Sequence, residues 1–481
     1  MSDTPQPNRL KRELGVLHAV LLGLGSILGT GVFVSIGLAA GIAGPSVLIA
    51  IVLAALLALC NGLSSAQLAA AHPVAGGTYE YGYRFLSPKL GFTAGWMFLL
   101  AKSASAATAA LGVGTYLLGQ FLLDNAFIQS LFGVCFNIYY LNSIIALLAL
   151  ALITALVLLG IRRSAWANTL LVAITVLGLL AVVAYVLFAL EEPQGYSPST
   201  GDQFWTGDTP AINLLTATAL MFVAYTGYGR VATLGEEVRD PRRTIPKAIV
   251  ATLGFIALLY VAVGTALVFA INTGDARMDL GEVLLQVVWW TNGPAWLSTL
   301  IAVAGITAML GVLLNLVLGL SRVLLAMGRR HDVPGFFGRV NAEGTTPVPA
   351  VLGVAGIIAL IAMLGDLKTT WSFSAFTVLV YYGITNLAAL RLPAENRLYP
   401  RVFSWAGLGG CVFLCWWVSP WVWLFGLKLL VAGLLWHTIA PKLFGRPTSP
   451  SEVCAHCGYD LRASTGNCPE CGAPIPDDAV V

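Results

Sequence analysis

Twelve apolar stretches, each close to the length of a membrane crossing, decide most of what this chain can fold into. They run roughly over 17–41, 45–70, 91–122, 139–160, 165–190, 211–235, 247–271, 296–326, 348–365, 370–391, 402–418 and 420–440. A spanning helix needs about 20 such residues. Only 10% of the chain is charged and 58% is hydrophobic, whereas a soluble domain carries charge on about a quarter of its residues. An all-α membrane protein with twelve transmembrane helices is therefore expected, and a single soluble core is excluded.

Lysine and arginine in the loops set the orientation. Arg9, Lys11 and Arg12 precede a first stretch too long for a cleavable signal, which reads as an uncleaved span. With the N-terminus inside, the inner loops hold Arg84, Lys89, Arg162, Arg163, Arg239, Arg242, Arg243, Lys247, Arg329, Arg330, Arg339, Arg391, Arg397 and Arg401. The outer loops hold Arg277 and Lys368. The expectation is a multi-pass protein of the cell (inner) membrane with both termini cytoplasmic.

The first span is interrupted. Gly25, Ser26, Ile27, Leu28, Gly29, Thr30, Gly31, Val32 and Phe33 include three glycines and two hydroxyl residues, all poor helix formers. Unwound backbone at membrane depth survives only where it lines a cavity or is buried in protein. The stretch is thus either half of a binding site or a packing face of small residues. The sixth span carries a second interruption at Tyr225, Thr226, Gly227, Tyr228, Gly229 and Arg230. Breaks five helices apart are the signature of a five-plus-five inverted repeat, with the site where they meet. That favours the binding-site reading.

Lys102 lies about eleven residues into the third span, so roughly 16 Å deep at about 1.5 Å per residue. A charge there costs at least about 2.5–3.5 kcal/mol unless it faces a cavity or a partner. It is either linked to the site or reaches an aqueous vestibule. The 191–210 stretch reads as a solvated outer connector, and 272–294 as an outer interfacial helix. Tyr79 and Tyr81, after Pro73, Gly76 and Gly77, suit the interfacial aromatic belt.

In these pieces the chain resembles the amino acid permeases of the amino acid–polyamine–organocation (APC) superfamily. The resemblance rests on Gly25 to Phe33, on Pro73, Gly76, Gly77 and Tyr79, and on Phe222 through Glu236, Glu237, Val238, Asp240, Pro241, Arg243, Ile245 and Pro246. Ser321, Arg322, Met327, Gly328, Arg329, Val333, Pro334, Thr346 and Pro347 complete it, over about 12–440. It implies a leucine-transporter-like fold with broken helices 1 and 6 and alternating access. The amides of Gly29, Thr30 and Gly31, beside Ile27, suit a substrate carboxylate at the positive end of a half-helix. By resemblance, the carbonyls of Val223, Ala224 and Thr226 accept from the substrate ammonium, and Tyr225 and Tyr228 belong to the pocket wall. No acid lies mid-span, while Lys102 and Arg230 are positive, so neutral or acidic amino acids are favoured over a cationic amino acid substrate.

Coupling is expected to be proton-linked and sodium-independent, by symport. Several proton-coupled relatives place a lysine in the fifth span; here that place holds Thr175, and Lys102 supplies the ammonium instead. A lysine taken out of water gives up its proton more readily. Glu236 and Glu237 close the sixth span, either as a gate with Arg84 or as a solvated helix end.

The expected organisation is a cytoplasmic segment 1–14, a transporter domain 15–440, a linker 441–450, a zinc ribbon 451–475 and an acidic tail 476–481. Cys454, Cys457, Cys468 and Cys471 form two CxxC pairs ten residues apart. Four thiolates in a reducing cytosol suit one structural zinc ion, with iron the lesser choice. Its binding would supply folding energy that so short a segment lacks. From Pro447 on, Arg462 faces Glu452, Asp460, Glu470, Asp477 and Asp478, which argues against nucleic acid and for a protein contact. Cys60, Cys135, Cys411 and Cys415 read as ordinary small apolar residues. No hydrolase or phosphate-loop motif supports an enzyme. A non-transporting amino acid sensor, signalling through the ribbon, is the competing reading.

Overall fold

The computed structural model describes residues 15–73, 76–122, 138–189, 204–205, 208–232, 238–270, 282–341, 346–444, 454 and 474. Every regular element among them is helical. Helix α1 (Val16–Ile27) stops where Leu28 turns extended, with ψ 102°. A π-helical turn (Gly31–Ser35) follows and leads into α2 (Ile36–Ala43). Gly44, at φ 57°, then reverses the chain into α3 (Val47–Ala71). A positive φ of this kind is open to glycine and strained for most other residues.

Gly76 and Gly77, at φ 104° and 57°, turn the chain into the short helix α4 (Thr78–Phe85). Helix α5 (Pro88–Leu117) starts on a Ser87 cap, whose Oγ accepts from the Leu90 N–H at 3.3 Å. Helices α6 (Ile138–Leu158) and α7 (Ile161–Ala189) follow. The second interrupted helix is α8 (Pro210–Tyr225), a 3₁₀ turn (Thr226–Tyr228) and α9 (Gly229–Ala232). The remaining helices are α10 (Pro241–Ala270), α11 (Val283–Trp290), α12 (Ala295–Arg329), α13 (Val348–Leu364), α14 (Leu367–Leu390), α15 (Arg401–Cys415) and α16 (Pro420–Phe444).

Among the described residues, nine helical stretches are long and apolar enough to cross a membrane, and α13 and α15 are shorter apolar helices. One of the nine, Val16–Ala71, contains the reversal at Gly44. Helix α5 is buried along nearly its whole length and packs against α12 and α14. Its small residues (Ala101, Ser103, Ala104, Ala106, Ala107, Gly112) let neighbouring backbones come close. Helix α16 is mostly exposed and lies at the periphery.

Two expectations meet the structure here. Helix α11 does form within 272–294, with Val283 to Val288 buried and Trp289 and Trp290 exposed. The interfacial belt expected of Tyr79 and Tyr81 does not: both are fully buried, because α4 folds back beneath the bundle instead of facing lipid. The 191–203 part of the outer connector, Arg277 and Cys135 lie outside the described residues.

Candidate functional site

The two interruptions meet. A Cβ on Gly227 would collide with the carbonyl of Ser26, and one on Gly31 with the Tyr260 hydroxyl and the Ala224 carbonyl. Glycine is required there because backbone lies against backbone. Tyr260, on α10, points its hydroxyl at the Ile27 carbonyl (3.1 Å) and the Ala224 carbonyl (3.3 Å), and so touches both breaks. Tyr382, on α14, donates to the Thr226 carbonyl at 2.9 Å. The Thr226 hydroxyl donates to the Val223 carbonyl at 2.7 Å.

Lys102 reaches the same place from α5. Its ammonium donates to Thr226 Oγ1 at 2.7 Å and approaches the Thr226 carbonyl at 3.4 Å. The side chain is 5% exposed. Of the three carbonyls expected to take a substrate ammonium, Val223 and Thr226 therefore already accept from the protein itself, and Ala224 shares the single Tyr260 proton with Ile27. Beside Lys102 lies a cavity of about 20 Å³, room for about one water. It is lined in part by Ser26, Thr226, Gly229, Arg230 and Asn315. Ile27, Gly29, Thr30 and Gly31 are all buried at the first break, with Gly29 against Val312 and the Ala308 carbonyl. Tyr225 and Tyr228 are fully buried, their rings tilted against Tyr260 and Tyr382 with centroids 5.0 and 5.2 Å apart. The Tyr225 hydroxyl has no hydrogen-bond partner among the described residues.

Behind the first break, α7 and α12 meet through two amides. Asn168 donates to the Leu21 carbonyl at 3.0 Å, and Asn315 donates to Asn168 Oδ1 at 2.5 Å. Thr175, the residue expected at the family's fifth-span position, bonds only its own helix, to the Leu171 carbonyl at 2.8 Å. Beyond the first break, Ser35 donates to the Leu220 carbonyl at 3.1 Å and Trp371 donates to Ser35 at 3.2 Å. A second cavity, of about 230 Å³, adjoins Leu220, bordered by α2, α8, α14 and the turn before α16.

A polar cluster that sequence reasoning missed joins α4 to the C-terminal end of α12. Glu80, 3% exposed, takes a forked pair of bonds from Arg330, at 3.2 Å from Nε and 2.5 Å from the terminal nitrogen. Burial works against the Arg330 charge, but the Glu80 carboxylate and Tyr79 outweigh it and hold the guanidinium protonated, above its ordinary range. Tyr79 and Tyr83 both donate to Asp332 Oδ2 at 2.7 Å. Trp436 donates to the Asp332 carbonyl at 2.8 Å, tying α16 to the same point. Of the expected gate, Arg84 is exposed on α4, and Glu236 and Glu237 lie outside the described residues.

Of the tail's metal set, Cys454 is buried, and Cys457, Cys468 and Cys471 lie outside the described residues. The signals that pointed at the missed site residues were polar groups inside apolar spans. Tyr260, Tyr382, Asn168 and Asn315 all sit there, and such groups face the bundle interior.

Comparison with known proteins follows the same lines. A family model described as "Amino acid permease" matches residues 18–446. An uncharacterized transporter of Mycobacterium tuberculosis is 37% identical over 410 residues, covering 85% of this chain and 86% of that protein. The branched-chain amino acid permease BcaP of Bacillus subtilis is 29% identical, covering 83% and 84%. Human cationic amino acid transporter 4 is 29% identical, covering 82% of this chain and 62% of its own.

Proposed function

This chain belongs to the amino acid permease family, and from that premise we propose that it is a secondary transporter of neutral α-amino acids working by alternating access. One observation carries the reading: the breaks of two helices meet at Tyr260, leaving half-helix ends and unwound carbonyls opposite each other. Such an arrangement suits a zwitterion, with the Gly29, Thr30 and Gly31 side taking the carboxylate and the Val223, Ala224 and Thr226 side the ammonium. Counted with the reversal at Gly44 and the two shorter apolar helices, the spans support twelve crossings in a leucine-transporter-like arrangement.

The charge of the lining favours a neutral substrate. Among the described residues, the lining of the cavity beside Lys102 includes Lys102 and Arg230 and no acid. A branched-chain permease among the relatives agrees with that chemistry better than a cationic transporter does. Lys102 is assigned the coupling role, as an ammonium at the break in place of an external cation. Transport is then sodium-independent and proton-linked. Cys454, Cys457, Cys468 and Cys471 are assigned to one structural zinc ion, with a protein contact as the tail's role.

The test is counterflow of radiolabelled amino acids into proteoliposomes, with and without sodium and with imposed pH gradients. Accumulation of a neutral amino acid that ignores sodium and follows the proton gradient is the expected result. Unchanged pH dependence in Lys102→Ala would remove Lys102 from coupling, and absence of counterflow for all twenty amino acids would remove the transport reading. Metal content by mass spectrometry, expected at one zinc per chain and lost in Cys468→Ser, tests the tail.

A further inference from the structure

The ammonium of Lys102 stands where the ammonium of an amino acid would have to go. Resting on the transport reading above, we propose that Lys102 is a tethered stand-in for the substrate ammonium, and that an amino acid enters by displacing it.

The acceptor inventory at the second break carries the argument. The Thr226 hydroxyl gives its only proton to the Val223 carbonyl at 2.7 Å, so its lone pairs are left for Lys102 Nζ at 2.7 Å. The Thr226 carbonyl offers two lone pairs. One takes the Tyr382 hydroxyl at 2.9 Å and the other faces Lys102 at 3.4 Å. The Ala224 carbonyl, at 3.3 Å from Tyr260, shares that hydroxyl's single proton with the Ile27 carbonyl at 3.1 Å. An arriving ammonium brings three donors and finds these acceptors in use. Tyr382 and Tyr260 are neutral and can share a carbonyl with it. Lys102 has the same charge and the same donor chemistry, and two ammonium groups on one carbonyl repel in a site with little water. One of them must leave.

The structure gives Lys102 somewhere to go. The cavity of about 20 Å³ beside its head group has room for about one water-sized group and offers Ser26 and Asn315 as polar lining. The lysine stem is four flexible carbons, so Nζ moves into it without any backbone shift. Exchange of one cation for another leaves the charge at the Thr226 carbonyl unchanged. What the substrate adds is a carboxylate, into a region whose lining charges among the described residues are Lys102 and Arg230. The exchange therefore selects for a molecule with both groups over a bare amine, which adds only the repelled charge.

Purified full-length protein is screened by thermal shift against the twenty amino acids, and the tightest binder is paired with its des-amino acid (4-methylpentanoate for leucine). With the competitor removed in Lys102→Met, the amino acid is expected to bind roughly tenfold tighter, the worth of a charge-assisted hydrogen bond. Equal or weaker binding in Lys102→Met overturns the proposal. The wild type gives a second reading that needs no variant to fold. There the des-amino acid leaves Lys102 on Thr226, and it is expected to bind within about tenfold of the amino acid. A larger loss, as for a site that depends on the substrate's own ammonium, overturns the proposal while leaving the transport reading intact. No binder among the twenty overturns the transport reading and this one with it.

Discussion

Tyr260 directs its hydroxyl at the carbonyl of Ile27, the last helical residue before the first break, across 3.1 Å and 233 positions of sequence. The same oxygen lies 3.3 Å from the Ala224 carbonyl at the second break. One side chain thus anchors both interrupted helices to α10.

Tyr260→Phe keeps the ring against Tyr225, at a centroid distance of 5.0 Å, and removes only the anchor. A net hydrogen bond is worth about 1 kcal/mol, so thermal unfolding should register a modest loss of stability. Uptake in proteoliposomes should fall further than stability does, because the two breaks lose their common partner. Uptake equal to wild type would show that the anchor serves packing alone.

The glycines at the crossing should behave unlike glycines elsewhere in the bundle. Gly227→Ala places a methyl into the Ser26 carbonyl, whereas Gly254 on α10 has open space around it. Overpacking against backbone costs about 1–3 kcal/mol, while alanine in a helix interior gains up to about 1 kcal/mol over glycine. Melting curves of the two variants should move in opposite directions, with transport lost in Gly227→Ala and retained in Gly254→Ala.

The buried Glu80–Arg330 pair should be costly to break from one side. Arg330→Met leaves the Glu80 carboxylate, 3% exposed, without its main counter-charge, a change worth about 3–5 kcal/mol. Glu80→Gln with Arg330→Met should recover much of that loss, since no charge then stays buried. A double-mutant cycle on unfolding midpoints checks the coupling; additive losses would mean that the two groups do not act as a pair.

At the amide junction, Asn168→Ala removes a donor to the Leu21 carbonyl and an acceptor for Asn315. About 1 kcal/mol per bond predicts a loss of about 2 kcal/mol, since the Asn315 amide keeps its bond to the Gly311 carbonyl at 2.9 Å. Hydrogen exchange of α1 should rise selectively in this variant, because α1 loses its tie to α7.

Much of this was legible in the chain itself, and for identifiable reasons. The breaks at Gly29 to Gly31 and Thr226 to Gly229 announce themselves because glycine and hydroxyl residues interrupt apolar runs. The depth of Lys102 follows from counting alone. What it touches does not: Thr226 is 124 positions away, and the contact depends on the tertiary packing that brings α5 to the turn after α8. The Glu80–Arg330 pair was hidden for the same reason, 250 positions apart. Arg84 is the arginine expected at a gate, with Glu236 and Glu237. Burial fades along α4, however, and leaves Arg84 exposed while Tyr79 and Glu80 are inside. Asn168 and Asn315 were visible as amides in apolar helices, but a three-way junction cannot be read from any one of them.

The π turn at Gly31–Ser35 has a mechanical consequence. A π turn holds one residue more than the α-helical turn it replaces. Tightening it to α geometry turns everything outward of Ser35 by about 100° and shifts it by about 1.5 Å along its axis. Helix α1, tied to Tyr260 through Ile27, stays in place during that change. The first interrupted helix therefore carries one residue of slack on its outer half alone. Its outer end can re-register against α8 while the inner end keeps its contacts, and the two sides of the membrane need not move together.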